Sequence, residues 1–307
     1  METIIALLLV ISTLAGCAGR APNSLPSEVL TPSLQENAVL SEAAPDTLSF
    51  HVEMQVYEDT VLADDGTELA TCRFEYPVMT ACWSNGTMLE TAQTDQEEQA
   101  LATADAFNDQ FGLATVEEEF QEMTAMARED LAFRQESGLE WVSPYTMELT
   151  YEVYQTVQMV SVSANYYSFT GGAHPNTVLL AWNFDLTTGQ FFTPEVLAVD
   201  GQAFSTAVKE ELVRQSRLVA AENEMEAETF FWANYEEILS AWSSYAVSFD
   251  DSGMTVAFSP YELAAYAAGS QVFRLTYEQL MPYLSPHGLE LLGLESDEDE
   301  DGLRNMK

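Results

Sequence analysis

Few residues in this chain have the types and spacing that chemistry needs. The three histidines, His51, His174 and His287, are far apart in sequence, so no histidine pair stands ready to hold a metal. His174 lies in Gly171-Gly172-Ala173-His174-Pro175-Asn176. Paired glycines permit backbone angles closed to other residues, and a proline fixes the chain directly after the imidazole. Such a loop can present His174 and Asn176 to a ligand, or it can be a tight turn whose polar side chains satisfy local backbone groups. Ser259-Pro260-Tyr261-Glu262 also has two readings. One is a helix start with proline first and a glutamate in the first turn; the other has Tyr261 or Glu262 lining a pocket. The candidate ligand-binding residues are therefore Gly171, Gly172, His174, Asn176 and Tyr261. No Gly-x-Ser-x-Gly, His-Glu-x-x-His or phosphate loop is present. With 50 acidic residues, no single carboxylate pair is informative. No catalytic residue, metal site or cofactor is expected.

The three cysteines divide into one and two. Cys17 ends an apolar run, Ile4 to Leu14, that is too short to span a bilayer but has the length of an export signal. The ending Leu14-Ala15-Gly16-Cys17 resembles the lipobox of bacterial lipoproteins. That resemblance implies that Cys17 is acylated as the mature N-terminus and that the protein lies outside the cytoplasm, anchored to the cell membrane by lipid. Cys72 and Cys82 then remain as an even pair in an oxidising compartment. Two short strands joined at Tyr76-Pro77 would set them opposite one another, and a disulfide there would contribute roughly 2–3 kcal/mol.

The elements that position these residues follow from periodicity. Phe50, Val52, Met54 and Val56 alternate with polar residues, and Asp64-Asp65-Gly66 supplies a turn, which predicts a hairpin running to Tyr76. Thr94 precedes a helical run to Phe111, and Thr115 with Glu118 forms a capping-box pattern for a second helix ending at Gly138. Strands are expected over Tyr145 to Phe169, Thr177 to Leu186 and Gln190 to Phe192. Helices follow at Gly201 to Glu222 and Glu228 to Trp242. The remainder reads strand, turn at Asp250 to Gly253, strand, helix from Pro260 to Ala267, strand from Gln271, and a last helix from Tyr277 to Tyr283. Strands and helices come in separate runs, which predicts an α+β fold: an antiparallel sheet with helices packed on one side, in two small units. The expected organisation is a signal (1–16), a proline-rich linker (17–46), an N-terminal domain (47–138), a C-terminal domain (139–293) and an acidic tail (294–307).

A net charge of −40 disfavours nucleic acid and anionic surfaces and favours cationic partners. The acidic runs near Glu222 and at Ser296 to Asp301 read as solvated surface, not as calcium loops.

Three ordered segments carry a family resemblance: the loop Gly171 to Asn176 with Asn183 to Gly189 after it, Val256 to Leu263, and Ala265 to Gly269. Together they resemble the extracytoplasmic domain of RsiV-like anti-sigma factors, a domain also found in the non-catalytic part of PdaC-like deacetylases. Leu48 to Gly138 is similar to the companion domain that often precedes it. The resemblance implies an α+β envelope domain that binds a ligand, such as a lysozyme-like protein or peptidoglycan. Ser248-Phe249-Asp250-Asp251-Ser252-Gly253 is similar to a deacetylase motif, but without the histidine pair those enzymes use it reads as a turn between strands.

Overall fold

The computed structural model describes residues 47–295; the expected signal, Cys17, the linker and residues 296–307 of the acidic tail lie outside them. Among the described residues, nine strands form two sheets. Strands β1 (Leu48–Leu62), β2 (Glu68–Trp83), β3 (Tyr145–Gln155), β4 (Met159–Phe169), β5 (Asn176–Asp185) and β6 (Gln190–Phe192) lie side by side in chain order. Strands β7 (Ala246–Asp250), β8 (Gly253–Phe258) and β9 (Gln271–Thr276) make a second, antiparallel sheet. All neighbours in the first sheet are antiparallel except β2 and β3, which run parallel. A parallel pair needs a long crossover, supplied here by helices α1 (Asp95–Asn108) and α2 (Leu113–Ser137). The fold is α+β, and the β2–β3 pairing continues one sheet across Gly138.

Local signals account for most element ends. The first hairpin turns at Gly66, whose φ of 88° suits glycine, while Asp65 Oδ1 accepts from Thr67 N at 2.9 Å. Helix α1 has the full capping box between Thr94 and Glu97. Beyond Phe74 no β3 residue pairs with β2, and the Asn108 side-chain amide takes over: Oδ1 accepts from Met79 N at 2.7 Å and Nδ2 donates to Met79 O at 2.9 Å. Helix α2 begins one turn earlier than the Thr115 pattern predicts. Gly112 stands at its N-cap without a side-chain bond, and Thr115 is inside the helix.

The Cys72–Cys82 disulfide is not formed; both thiols are free. The predicted break at Tyr76-Pro77 does not occur, because Pro77 sits within the unbroken strand β2. Ten residues of extended chain separate the two cysteines by roughly 33 Å, far beyond the ~7 Å a disulfide tolerates.

The C-terminal half is built on helix α3 (Gly201–Glu222), capped by Asp200, which buries Phe204, Val208, Leu212, Ser216 and Ala220 along one stripe. These meet Trp242, Tyr235, Met254, Phe258 and Phe273 in one apolar core. The single helix expected over Glu228 to Trp242 is instead two short ones, α4 (Ala227–Phe230) and α5 (Tyr235–Ser240), and a 3-10 turn (Trp242–Ser244). The break lets Phe231 bridge Ala264. The final helical stretch is α6 (Tyr277–Leu280), a 3-10 turn (Met281–Tyr283) and α7 (Pro286–Leu292). Ser285 capping with Pro286 next is the start signal that marks α7.

A buried polar junction ties the two sheets together. Ser161 Oγ on β4 donates to Asn183 Oδ1 on β5 (2.8 Å) and accepts from Phe249 N on β7 (2.8 Å), and Asn183 Nδ2 donates to Val247 O (2.9 Å).

Candidate functional site

The loop between β4 and β5 and the segment between β8 and β9 are distant in sequence, and the fold brings them together. In the first, Gly171 has φ +74°, and a Cβ there would lie 3.3 Å from the Tyr145 ring. The angle favours glycine, and a Cβ would have to push the Tyr145 ring aside slightly. Gly172 has open surroundings. His174 Nδ1 is 2.9 Å from Pro175 O, which also accepts from Tyr266 Oη at 3.1 Å. With Nδ1 carrying its hydrogen toward that carbonyl, Nε2 is left to accept from Tyr261 Oη, 3.3 Å away. The imidazole stacks on Tyr266, with centroids 3.8 Å apart and planes 21° apart, and Tyr261 closes the group 5.5 Å from Tyr266.

The second segment is not the predicted helix. Glu262 N donates to Ser259 O at 3.1 Å, and Tyr261 has φ +74°. This is a type II turn with Pro260 at its second position and Tyr261 at the third, where glycine or asparagine is usual. A tyrosine there costs about 1–2 kcal/mol. Four hydrogen bonds hold the turn. Ser259 N donates to Glu262 Oε2 (2.5 Å), Ser259 Oγ accepts from Leu179 N of β5 (3.0 Å), the Trp232 indole donates to Tyr261 O (2.9 Å), and Trp232 N donates to Leu263 O (3.0 Å). Burial pushes the Glu262 carboxyl above its ordinary pKa, and the bonds from Ser259 oppose that shift. The result is a strained, well-braced turn whose tyrosine is 54% exposed, with Trp232 38% exposed beside it.

The structure thus brings His174 and Tyr261 into contact, with Gly171 shaping the loop that carries one of them. Asn176 is the exposed first residue of β5, and no hydrogen bond reaches its side chain among the described residues. Sequence reasoning missed Tyr266 and Trp232. Tyr266 lay within a predicted helix, and Trp232 gave no periodic signal of its own. The exposed rings, phenolic hydroxyls and imidazole can stack against and hydrogen-bond a partner.

A separate open groove of about 790 Å³ lies between the two sheets. Its lining mixes polar side chains, including Glu152, Ser163, Asn165 and Arg274, with apolar ones such as Leu179, Phe249 and Val272. Among the described residues no helix is long and apolar enough to cross a membrane.

Residues 65–177 match the family model described as deacetylase PdaC, and residues 191–278 match that of a protein of unknown function, DUF3298. His174 falls in the first match, and Tyr261 and Tyr266 fall in the second. No curated protein matches the chain. A DUF3298 family member from Bacteroides fragilis NCTC 9343 superposes with a TM-score of 0.53 at 14% identity, covering 81% of this chain and 99% of its own. A DUF3298 family protein from Pseudomonas aeruginosa PAO1 gives 0.44 at 16% identity, covering 78% and 96%. The chain therefore carries a PdaC-type segment followed by a DUF3298-type domain, in a fold it shares with the DUF3298 family.

Proposed function

We propose that this protein is a lipid-anchored extracytoplasmic lipoprotein that binds a ligand without transforming it. Its ligand is a cationic envelope protein of the lysozyme-like kind, taken on the face of His174, Tyr261 and Tyr266. The observation that carries the reading is the Tyr261 turn: a half-exposed ring held in a costly backbone conformation and braced from three directions has the character of a presented contact residue. The charge supports a cationic partner. Five of the seven lysines and arginines among residues 47–295 (Arg73, Arg134, Arg214, Arg217 and Arg274) are paired with carboxylates, so the remaining acids set the outer field. Lysozyme pull-down with the wild-type chain, Tyr261→Ala and His174→Ala tests it. Retention by the wild type with loss in both variants is expected; equal retention by all three would sink the assignment.

A second reading, binding of peptidoglycan, is favoured by the hydroxyl, amide and carboxylate lining of the groove between the sheets. Pull-down with purified cell wall decides between the two: wall binding that survives Tyr261→Ala but is lost in Asn165→Ala places a glycan in the groove.

A further inference from the structure

Strand β1 is an edge of the six-stranded sheet, and among the described residues no strand pairs with its outer side. Near its start Phe50 O is taken by the Gln155 side chain at 2.8 Å, but from Met54 to Val61 the edge is open. Thr60 N there is met by the neighbouring Asp59 carboxylate at 2.8 Å, a side chain standing where a further strand would sit. Helix α2 packs on β2, with Phe120 edge-on to Phe74 at 6.2 Å, and overhangs β1. A hollow of about 350 Å³ remains between helix and strand edge, lined by Tyr57 and Asp59 of β1 and by Glu117, Phe120, Gln121 and Arg128 of α2. Tyr57 and Phe120 give it an apolar floor. Asp59 and Glu117 outnumber Arg128, which forms no ion pair among the described residues.

We propose that Met54 to Val61, with this hollow, is a β-addition site for an extended polypeptide segment bearing lysine or arginine. An open edge supplies main-chain hydrogen bonds, and a pocket beside it selects alternate side chains. A lysine stem lies along Tyr57 and Phe120 while its ammonium reaches Asp59 and Glu117. A second copy of this chain fits poorly, because antiparallel pairing of two β1 edges sets Glu53, Glu58 and Asp59 of one copy against those of the other. The proposal is independent of the aromatic face.

The test uses the full chain and a synthetic eight-residue peptide alternating lysine and valine, with a glutamate–valine peptide as control. Hydrogen exchange should slow at Met54 to Val61 with the lysine peptide and not with the control. Asp59→Lys should weaken binding about tenfold, the equivalent of ~1.4 kcal/mol. Absence of binding, equal binding by Asp59→Lys, or protection that falls on residues 171–176 and 259–266 instead would each overturn it. Because the exchange experiment uses the wild-type chain, the proposal stays testable even if the variant fails to fold.

Discussion

Tyr261 carries its side chain in a backbone region that tyrosine rarely occupies, which separates a structural from a functional role. Tyr261→Gly removes the strain and loses only a half-exposed ring, so thermal stability should hold or rise while lysozyme retention falls. A large drop in Tm would instead mean that the ring is structural. Gly171→Ala is the converse, placing a Cβ at φ +74° against Tyr145 at a cost of about 1–2 kcal/mol, measurable as a lowered denaturant midpoint. Glu262 supplies a pH test. Its folded carboxyl is raised by burial, so the stability tied to it is present below the ordinary carboxylate range and is lost as pH rises through the folded value. Glu262→Gln keeps an acceptor for Ser259 N without a buried charge. Its thermal stability should match or exceed the wild type at pH 7, with the advantage shrinking as pH falls through the raised folded value toward the ordinary carboxylate range. The glycine–histidine loop was legible in the sequence because a glycine pair admits turn angles closed to other residues and a proline fixes φ whatever surrounds it. The turn at Pro260 was not, since the first position of a helix and the second of a type II turn ask the same φ of proline.

At the level of elements, alternation and capping signals gave the hairpin, α1 and the strands from β3 to β6 in their places. Tertiary support explains what they missed. Pro77 reads as a strand break, yet it stays inside β2, which is hydrogen-bonded along its length to β1. This makes Cys72 and Cys82 two free thiols, with Cys72 buried and pushed up to about 11 mainly by that burial. Alkylation of the native protein at pH 8 should therefore modify Cys82 well before Cys72, and non-reducing mass spectrometry should find no bridge between them. The Ser161–Asn183 junction has no sequence signature, because its partners come from three strands. Asn183→Ala leaves the Val247 carbonyl without its buried donor and the Ser161 hydroxyl, still accepting from Phe249 N, without an acceptor for its hydrogen, at an expected cost of about 1–3 kcal/mol in chemical denaturation.

Over the whole molecule, acidity and fold point the same way. The carboxylate excess repels itself, and among the described residues few cations remain unpaired, so added salt should raise Tm by screening while it weakens attachment of a cationic protein. The family matches place His174 in one segment and Tyr261 in the next, so the proposed binding face needs both segments folded together. The most direct measurement is hydrogen exchange of the full chain with and without lysozyme, at low and at high salt. The account predicts protection concentrated at residues 171–176 and 259–266 that fades at high salt. Protection elsewhere, or none at low salt, would contradict it.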